Sequence, residues 1–162
     1  MKYQKNKIDF NNAFFADIVF LVEGYSDYLF LEYIIYFKKF TSLEELNISI
    51  IEVGKTKIAS YYKMYSKLNI HCFVFYDKDT NKAQREPSKY PNNDKLNQEI
   101  EQLNNIYGFE EDLEGFLDYN IDNKGEKVKK IQEWIEQEIT EDKQSKIDEI
   151  WNKIENLFSG SL

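Results

Sequence analysis

A chain of 162 residues has room for one compact domain, and a hydrophobic fraction of 42% with 12 Phe and 12 Tyr excludes a disordered tail. The net charge of −8, from 21 basic and 29 acidic residues, argues against strong unaided binding to polyanionic nucleic acid. The single cysteine, Cys72, excludes an internal disulfide and is expected in the core. One cysteine and one histidine cannot build a zinc site of the usual kind, so any metal must be held by oxygens, which indicates magnesium or manganese.

The start of the chain does not resemble a signal peptide, because it lacks a basic stretch followed by an apolar one. The longest uninterrupted apolar run, Ile18 to Val22, is far shorter than the roughly 20 residues that span a bilayer. We therefore expect a cytoplasmic protein with no membrane contact.

The first predicted unit is a strand, a tight turn and a helix. Asp17 to Val22 is β-branched and apolar without alternation, which is typical of a strand buried on both faces of a parallel sheet. Glu23 and Gly24 end this strand, and Ser26 is the predicted N-cap of the following helix. The helix is predicted from apolar residues at helical spacing, namely Leu29, Phe30, Tyr33, Ile34 and Phe37.

Two more strands follow with a helix between them. Ile48 to Val53 is a second apolar run closed by Gly54, and Lys57 to Leu68 has the spacing of a helix. His71 to Tyr76 is the third strand and ends abruptly in Asp77-Lys78-Asp79. Strands that alternate with helices in this way predict an α/β fold with a mostly parallel sheet, whose strands have their carboxyl ends on a common edge.

The remainder of the chain is predicted to be a loop and three helices. Asn81 to Asn93 contains both prolines and is the best candidate for a mobile loop, and Asp94 to Ile106 follows as a helix. From Lys127 to about Phe158 apolar residues recur at helical spacing and predict two closing helices. These helices are expected to cover a face of the sheet or to meet a partner.

Acidic residues come directly after two of the predicted strands. Glu23 follows the first strand, and Asp77 and Asp79 follow the third. Ligands of open parallel sheets bind beyond the carboxyl ends of the strands, so these side chains should face one crevice. Asp27, near the start of the helix, can point back to the same edge.

A third acidic group lies in the stretch Glu110 to Leu117. Glu111 and Glu114 are three positions apart, so on a helix they share a face. Taken alone, each acidic group is more typical of helix caps, turns or a solvated helix face. Three groups that can meet at one sheet edge favour a metal site instead. Phosphodiester cleavage uses two ions about 3.5 to 4 Å apart, bridged by carboxylates.

Together these motifs resemble a known domain. Val22-Glu23-Gly24 with Asp27, followed by Asp77-Lys78-Asp79, resembles the TOPRIM domain of topoisomerases, bacterial primases and certain nucleases. Phe14-Phe15-Ala16-Asp17 and Glu111-Asp112-Leu113-Glu114-Gly115 are similar to the overcoming-lysogenization-defect (OLD) nucleases, which include the nuclease half of the Gabija phage-defence system. The similarity covers about Phe14 to Leu117.

The resemblance implies one TOPRIM (Rossmann-like) domain over residues 1–162, with a core at about 14–118 and a helical extension at about 124–158. It implies a DNA endonuclease or nickase with a two-metal site for Mg²⁺ or Mn²⁺. The implied metal ligands are Glu23, Asp27, Asp77, Asp79, Glu111 and Glu114, with Asp112 as a substitute. The implied catalytic residues are Glu23, which handles a proton, and Lys127, which stabilises transition-state charge and for which Lys129 and Lys130 are alternatives.

The resemblance also implies partners. Members of this group carry an ABC-type ATPase domain before the TOPRIM part, but the sequence contains no G-x-x-x-x-G-K-[ST] phosphate loop. The chain is therefore expected either to be an excised or split nuclease module or to have its ATPase as a separate protein, with a role in bacterial phage defence. DNA is the expected substrate, and a homo-oligomer is compatible with the sequence.

Two other functions stay open. A TOPRIM-like binding or regulatory module for a partner ATPase, without catalysis, is favoured by the acidic charge and the aromatic residues of the closing helices. Primase-like or topoisomerase-like work is a third hypothesis, but the chain lacks room for the additional domains that such work requires.

Overall fold

The computed structural model describes residues 10–119 and 126–158, in which strands and helices alternate through the first part of the chain. The strands in this part of the chain are β1 (Ile18–Val22), β2 (Ile48–Glu52), β3 (His71–Asp77) and β4 (Ile106–Phe109). The helices are α1 (Phe10–Ala13), α2 (Tyr25–Lys39), α3 (Lys55–Lys67), α4 (Thr80–Arg85), α5 (Asn93–Glu101), α6 (Leu113–Phe116), α7 (Lys127–Glu136) and α8 (Glu141–Ile154), followed by a 3-10 helix over Glu155–Phe158.

The four strands form one sheet in the order β2-β1-β3-β4, and every neighbouring pair is parallel. All five residues of β1 are buried, as expected for a central strand covered on both faces. The predicted α/β fold with a parallel sheet is confirmed. Because the strands are parallel, residues that follow β1, β2 and β3 lie on one edge of the sheet, which we call the carboxyl edge.

Helices cover both faces of the sheet. Alternate residues of β1 separate the two cores: Phe20 lies in the core shared with α2, α7 and α8, whereas Val19 lies in the core shared with α3 and α5. Trp134 of α7 packs against Phe30 of α2, with ring centroids 5.4 Å apart. The two closing helices therefore cover one face of the sheet by packing on α2, and Cys72 is buried in the opposite core.

The sequence-based prediction missed β4. Ile106 was assigned to the end of a helix, but α5 ends at Glu101 and Ile106–Phe109 pairs with β3. Ile106 continues the helical spacing of Ile100 and Leu103, and four residues are too few to show a strand period. Packing against β3 decides the conformation here.

Two local predictions are also wrong. Helix α2 begins at Tyr25 with Gly24 in the capping position, so Ser26 lies inside the helix and is not its N-cap. The segment 81–93 is not wholly a loop, because its first residues belong to α4. Among the residues described, no helix has both the length and the apolar character needed to cross a lipid bilayer.

Candidate metal centre

The carboxyl edge brings together acids from two strands. Glu23 directly follows β1, and its Oε1 accepts a hydrogen bond of 2.9 Å from the backbone N–H of Asp77, the last residue of β3. Asp79 stands two residues further on. One carboxylate oxygen from each of these three residues lies within 4.8 Å of the other two. Glu23, which is distant from the other two along the chain, therefore shares with Asp77 and Asp79 a space that one cation can fill.

Asp27 lies beneath this group in the first turn of α2. It is 7% exposed, and its Oδ2 accepts a hydrogen bond of 2.9 Å from the backbone N–H of Gly24. The carboxylate thus points back to the turn between β1 and α2. Asp27 is not one of the three acids whose oxygens lie within 4.8 Å of one another, and it does not line the adjoining cleft, so metal binding by Asp27 stays a prediction.

The electrostatics of this edge are unfavourable without a cation. Burial raises the pKa of Glu23 to about 7, although the nearby Lys55 ammonium opposes the change. Burial and the charge of Glu23 raise the pKa of Asp27 to about 7. The pKa of Asp77 also lies well above its ordinary value, because it is buried and because Asp27, Glu23 and Asp79 repel its charge. These carboxylates favour either protons or a bound cation.

Asp79 differs from its neighbours because two lysines neutralise it. The Nζ atom of Lys82 lies 3.3 Å from Asp79 Oδ1, and that of Lys55 lies 3.7 Å from Asp79 Oδ2. Lys82 also forms an ion pair with Asp112. This pairing lowers the pKa of Asp112, although burial acts in the opposite direction. Both lysines were missed in the sequence, because contacts between α3, α4 and the strand ends are not local in the chain.

Glu111 and Glu114 do not share a helix face, contrary to the prediction. Asp112 caps α6 by accepting a hydrogen bond of 2.7 Å from the N–H of Gly115, so the helix starts after Glu111. Glu111 accepts a hydrogen bond of 2.9 Å from the N–H of Asn81 and lines a neighbouring groove. Glu114, only 2% exposed, lines the same cleft as Glu23.

Lys127, the first residue of α7, lies at the same cleft. Its Nζ is 2.7 Å from Glu114 Oε2, and this contact helps to raise the pKa of Lys127 although burial would lower it. The alternatives Lys129 and Lys130 instead pair with Glu133 along their own helix. Of these three lysines, Lys127 is therefore the one near the acids.

These acids open into a cleft of about 850 Å³. Its charged lining is mixed. The acidic members are Glu23, Asp77, Asp79, Glu86, Asp112 and Glu114. The basic members are Lys55, Lys82, Arg85, Lys89 and Lys127. Although the chain has a net charge of −8, five basic side chains line the cleft that contains the clustered acids.

The donors at this cleft suit a hard cation. Carboxylate oxygens are the ligands that Mg²⁺ and Mn²⁺ prefer, and the single histidine lies at the opposite end of β3. Glu114 Oε1 is buried, and no hydrogen-bond partner for it exists among the described residues. Such an acceptor is costly to bury unless something binds it. The residues present therefore fit a divalent metal.

A parallel α/β sheet with Glu23 after its first strand and Asp77 and Asp79 after its third has the arrangement of the TOPRIM class. Residues 14–79 match the family model described as "Overcoming lysogenization defect protein-like, TOPRIM domain". The resemblance that the sequence motifs predicted is therefore confirmed over this segment of the chain. TOPRIM domains are generally metal-dependent and process nucleic acids.

Solved structures with some likeness are C-terminal regions of OLD proteins. That of Xanthomonas campestris pv. campestris, in its platinum-phased form, is 19% identical with a TM-score of 0.45, and the alignment covers 90% of this chain and 80% of that one. That of Burkholderia pseudomallei is 15% identical with a TM-score of 0.42, covering 90% of this chain and 86% of that one. A comparison with curated protein sequences gave no match.

Proposed function

We propose that this chain is a divalent-metal-dependent DNA endonuclease or nickase of the OLD/TOPRIM type. The observation that carries the proposal is the convergence of Glu23, Asp77 and Asp79 within 4.8 Å of one another. Two of these acids, Glu23 and Asp77, have raised pKa values and no ion pair among the described side chains. A buried set of acids that repel one another is costly for the fold, and a bound cation removes that cost.

Four acids that line the cleft would hold Mg²⁺ or Mn²⁺, namely Glu23, Asp77, Asp79 and Glu114, and Asp27 in the first turn of α2 would be a fifth ligand. When bound, two ions neutralise charge on the attacking and leaving oxygens of the scissile phosphate. Glu23, whose pKa is about 7, can hold or release a proton near neutral pH. Lys127 contributes a fixed positive charge at the cleft, through which it stabilises the charge that develops on the phosphate.

DNA is the proposed substrate because the cleft has a basic wall. Lys82, Arg85 and Lys89 lie on α4 and the turn after it, and all three line the cleft. Arg85 is the single arginine of the sequence and is exposed. A guanidinium binds phosphate oxygens in two-pronged geometry. Lys82 is paired with Asp79 and Asp112, and Lys89 with Glu86, so Arg85 is the member of this wall that we propose to contact phosphate directly.

The biological setting is part of the same proposal. The proposed unit is one TOPRIM domain with a C-terminal helical extension. An ABC-type ATPase subunit or domain would work with it, since the sequence itself contains no phosphate loop of such an enzyme. The pair would act in bacterial phage defence. The match over residues 14–79 supports the TOPRIM part of this proposal, and the partner and the defence role remain what the family resemblance implies.

The direct test is cleavage of supercoiled plasmid by the purified chain with Mg²⁺ or Mn²⁺, alone and with a co-expressed ABC-type ATPase. We expect nicked or linear product that disappears with chelator and with the variant Glu23→Gln. Glu138→Gln, which changes an exposed acid outside the cleft, is the matched control and should cut at the wild-type rate. Absence of cleavage with either metal, with and without the ATPase, contradicts the proposal.

A second candidate is a TOPRIM-like binding module without catalysis. The observation that favours it is internal neutralisation: Lys55 and Lys82 pair with Asp79, and Lys127 pairs with Glu114. Calorimetric titration with Mn²⁺ separates the two candidates. A nuclease binds the ion, and the binding is lost with chelator and in Glu23→Gln, whereas a scaffold gives no metal-dependent heat.

A further inference from the structure

The short turn after β3 determines where two of the clustered acids lie. Asp77 ends the strand, and Asp79 adopts a left-handed backbone with φ of 52°. Asp79 is also held from outside the turn, because its N–H donates a hydrogen bond of 2.9 Å to the carbonyl of Glu111. A non-glycine residue rarely takes this conformation unless its surroundings impose it. Something must therefore fix the backbone of this turn.

Lys55 makes several contacts to the turn. Its Nζ donates to the carbonyl oxygen of Asp77, to that of Lys78 at 3.3 Å and to Oδ1 of Asn93 at 2.7 Å. The side chain is 11% exposed. A nearly buried ammonium that reaches main-chain carbonyls acts on the backbone of the turn, besides its longer contact with the carboxylate of Asp79.

The position of Lys55 depends on the glycine before it. Gly54 has φ of 68° and ψ of 148°, a backbone conformation that is essentially restricted to glycine. This residue turns the chain from the end of β2 into α3, and Lys55 is the first residue of that helix. The lysine thereby starts near the carboxyl end of β2 and reaches past β1 to the end of β3.

Two asparagines of α5 hold the same turn from another side. Asn93 Nδ2 and Asn97 Nδ2 donate to the carbonyl oxygen of Lys78, at 2.8 and 2.9 Å. Asn93 is 6% exposed and uses both ends of its amide, because its Oδ1 accepts from Lys55. One carbonyl thus receives three side-chain donors from two helices. Among the described residues, neither side-chain amide forms a hydrogen bond with a clustered carboxylate.

We infer that Lys55, Asn93 and Asn97 are positioning residues that fix the turn 77–79 so that Asp77 and Asp79 meet Glu23 at the spacing of metal ligands. They act through the backbone and do not bind the ion themselves. This inference rests on the proposed function, since it concerns how that metal site is formed. Residues that orient metal ligands affect affinity strongly when they are lost, typically by about 10 to 100-fold.

The test is calorimetric titration of the metal-free protein with Mn²⁺. We expect Asn97→Ala and Lys55→Met to bind Mn²⁺ about 10 to 100-fold more weakly than the wild type. Asn97→Ala is the more decisive variant, because it removes a donor to the turn without changing any charge. Lys55→Arg retains a charged donor, so a smaller loss of affinity is expected.

Three controls separate positioning from general destabilisation. Gln98→Ala and Lys57→Met change exposed residues of α5 and α3 and should bind Mn²⁺ like the wild type. Ile58→Val weakens packing at a fully buried position of α3, so it should lower the melting temperature without changing the affinity. A second readout is amide hydrogen exchange at residues 77–79, which should be faster in Asn97→Ala than in Ile58→Val.

The outcomes distinguish the two proposals. If the wild-type chain binds no Mn²⁺, the proposed metal-dependent function fails. If the wild type binds and Asn97→Ala binds equally well with unchanged amide exchange, the positioning inference alone is overturned. A tighter site in Lys55→Met would also overturn it, because repulsion by the ammonium would then outweigh its effect on the turn.

Discussion

Two buried charged sites in this molecule differ in whether all their polar atoms have hydrogen-bond partners. Lys143 of α8 is 2% exposed, and its Nζ donates to the carbonyls of Trp134, Ile135 and Gln137 at 2.7 to 3.0 Å. Its three donors are all used, and it joins the end of α7 to α8. At the carboxyl edge, by contrast, Glu114 Oε1 is buried without a partner among the described residues.

The pKa shifts show the same contrast. Burial lowers the pKa of Lys143, but the three carbonyls satisfy its hydrogen-bonding capacity. Burial raises the pKa of Glu23 and Asp27 to about 7, and neighbouring carboxylates add to the shift in Asp27. At a site that stabilises the fold, residues of the same chain satisfy the hydrogen bonds of the buried charge. At a site that binds a ligand, some buried charges and hydrogen-bond acceptors are left for the ligand to satisfy.

The largest expected effect is on cleavage. Asp77→Asn should reduce plasmid cleavage by roughly 10³-fold, because it removes a carboxylate that would hold the metal, and the metal would stabilise the charge that develops on the phosphate. The same change should raise the melting temperature of the metal-free protein, since it removes one of several carboxylates that repel one another. Cleavage time courses and thermal unfolding with chelator measure the two effects. If Asp77→Asn lowers both cleavage and the melting temperature, Asp77 stabilises the fold as Lys143 does, and the proposed difference between the two sites is wrong.

At the Lys143 site we expect a loss of stability without a loss of metal affinity. Lys143→Met should lower the free energy of unfolding by about 3 kcal/mol, because it leaves the carbonyls at the end of α7 without a donor. Urea unfolding measures the loss, and the affinity for Mn²⁺ should stay at its wild-type value in the folded variant. Lys129→Met, at an exposed ion pair, should change stability by no more than about 0.5 kcal/mol.

Stability of the metal-free protein should fall as the pH rises from about 6 to 8. In the folded state Glu23 and Asp27 have pKa values of about 7, above their ordinary values of 4.5 and 3.8. The folded state therefore binds more protons than the unfolded state in this window, and raising the pH through 7 favours unfolding. Melting temperatures of the metal-free protein, measured across this pH range, give the slope of stability against pH.

Two comparisons sharpen the pH prediction. The double variant E23Q/D27N should have a smaller pH dependence of stability, because two of the three clustered carboxylates with raised pKa values are gone and only Asp77 remains. Saturating Mn²⁺ should reverse the trend, since metal competes with protons for the same oxygens and binds more tightly at higher pH. A metal-free slope that is unchanged in the double variant would assign the effect to other groups.

The smallest expected effect is at the basic wall of the cleft. Arg85→Ala should weaken DNA binding equally for different sequences and reduce the slope of log affinity against log salt by about 1, as for one lost phosphate contact. Binding measured by fluorescence anisotropy at several salt concentrations gives this slope. Arg85→Lys keeps the charge and should keep the slope, and unchanged salt dependence in Arg85→Ala would place the phosphate contacts elsewhere.

Much of the fold followed from local patterns. The apolar runs of β1, β2 and β3 were long enough to be recognised, and their alternation with helices required a parallel sheet. A parallel sheet in turn places the residues after its strands on one edge, so the meeting of Glu23 with Asp77 followed from topology alone. By contrast, β4 was missed because four residues that continue a helical spacing carry no strand signal of their own.

The sequence by itself determined which acids stand at strand ends, because chain order and strand direction are enough to place them at one edge. Only the tertiary structure decided that Glu111 lies apart from Glu114, because a cap at Asp112 starts the helix between them. It also decided which lysines reach the acids: Lys55 and Lys82 come from helices whose packing brings them there. Contacts of this kind depend on the distance between folded elements, which no local pattern encodes.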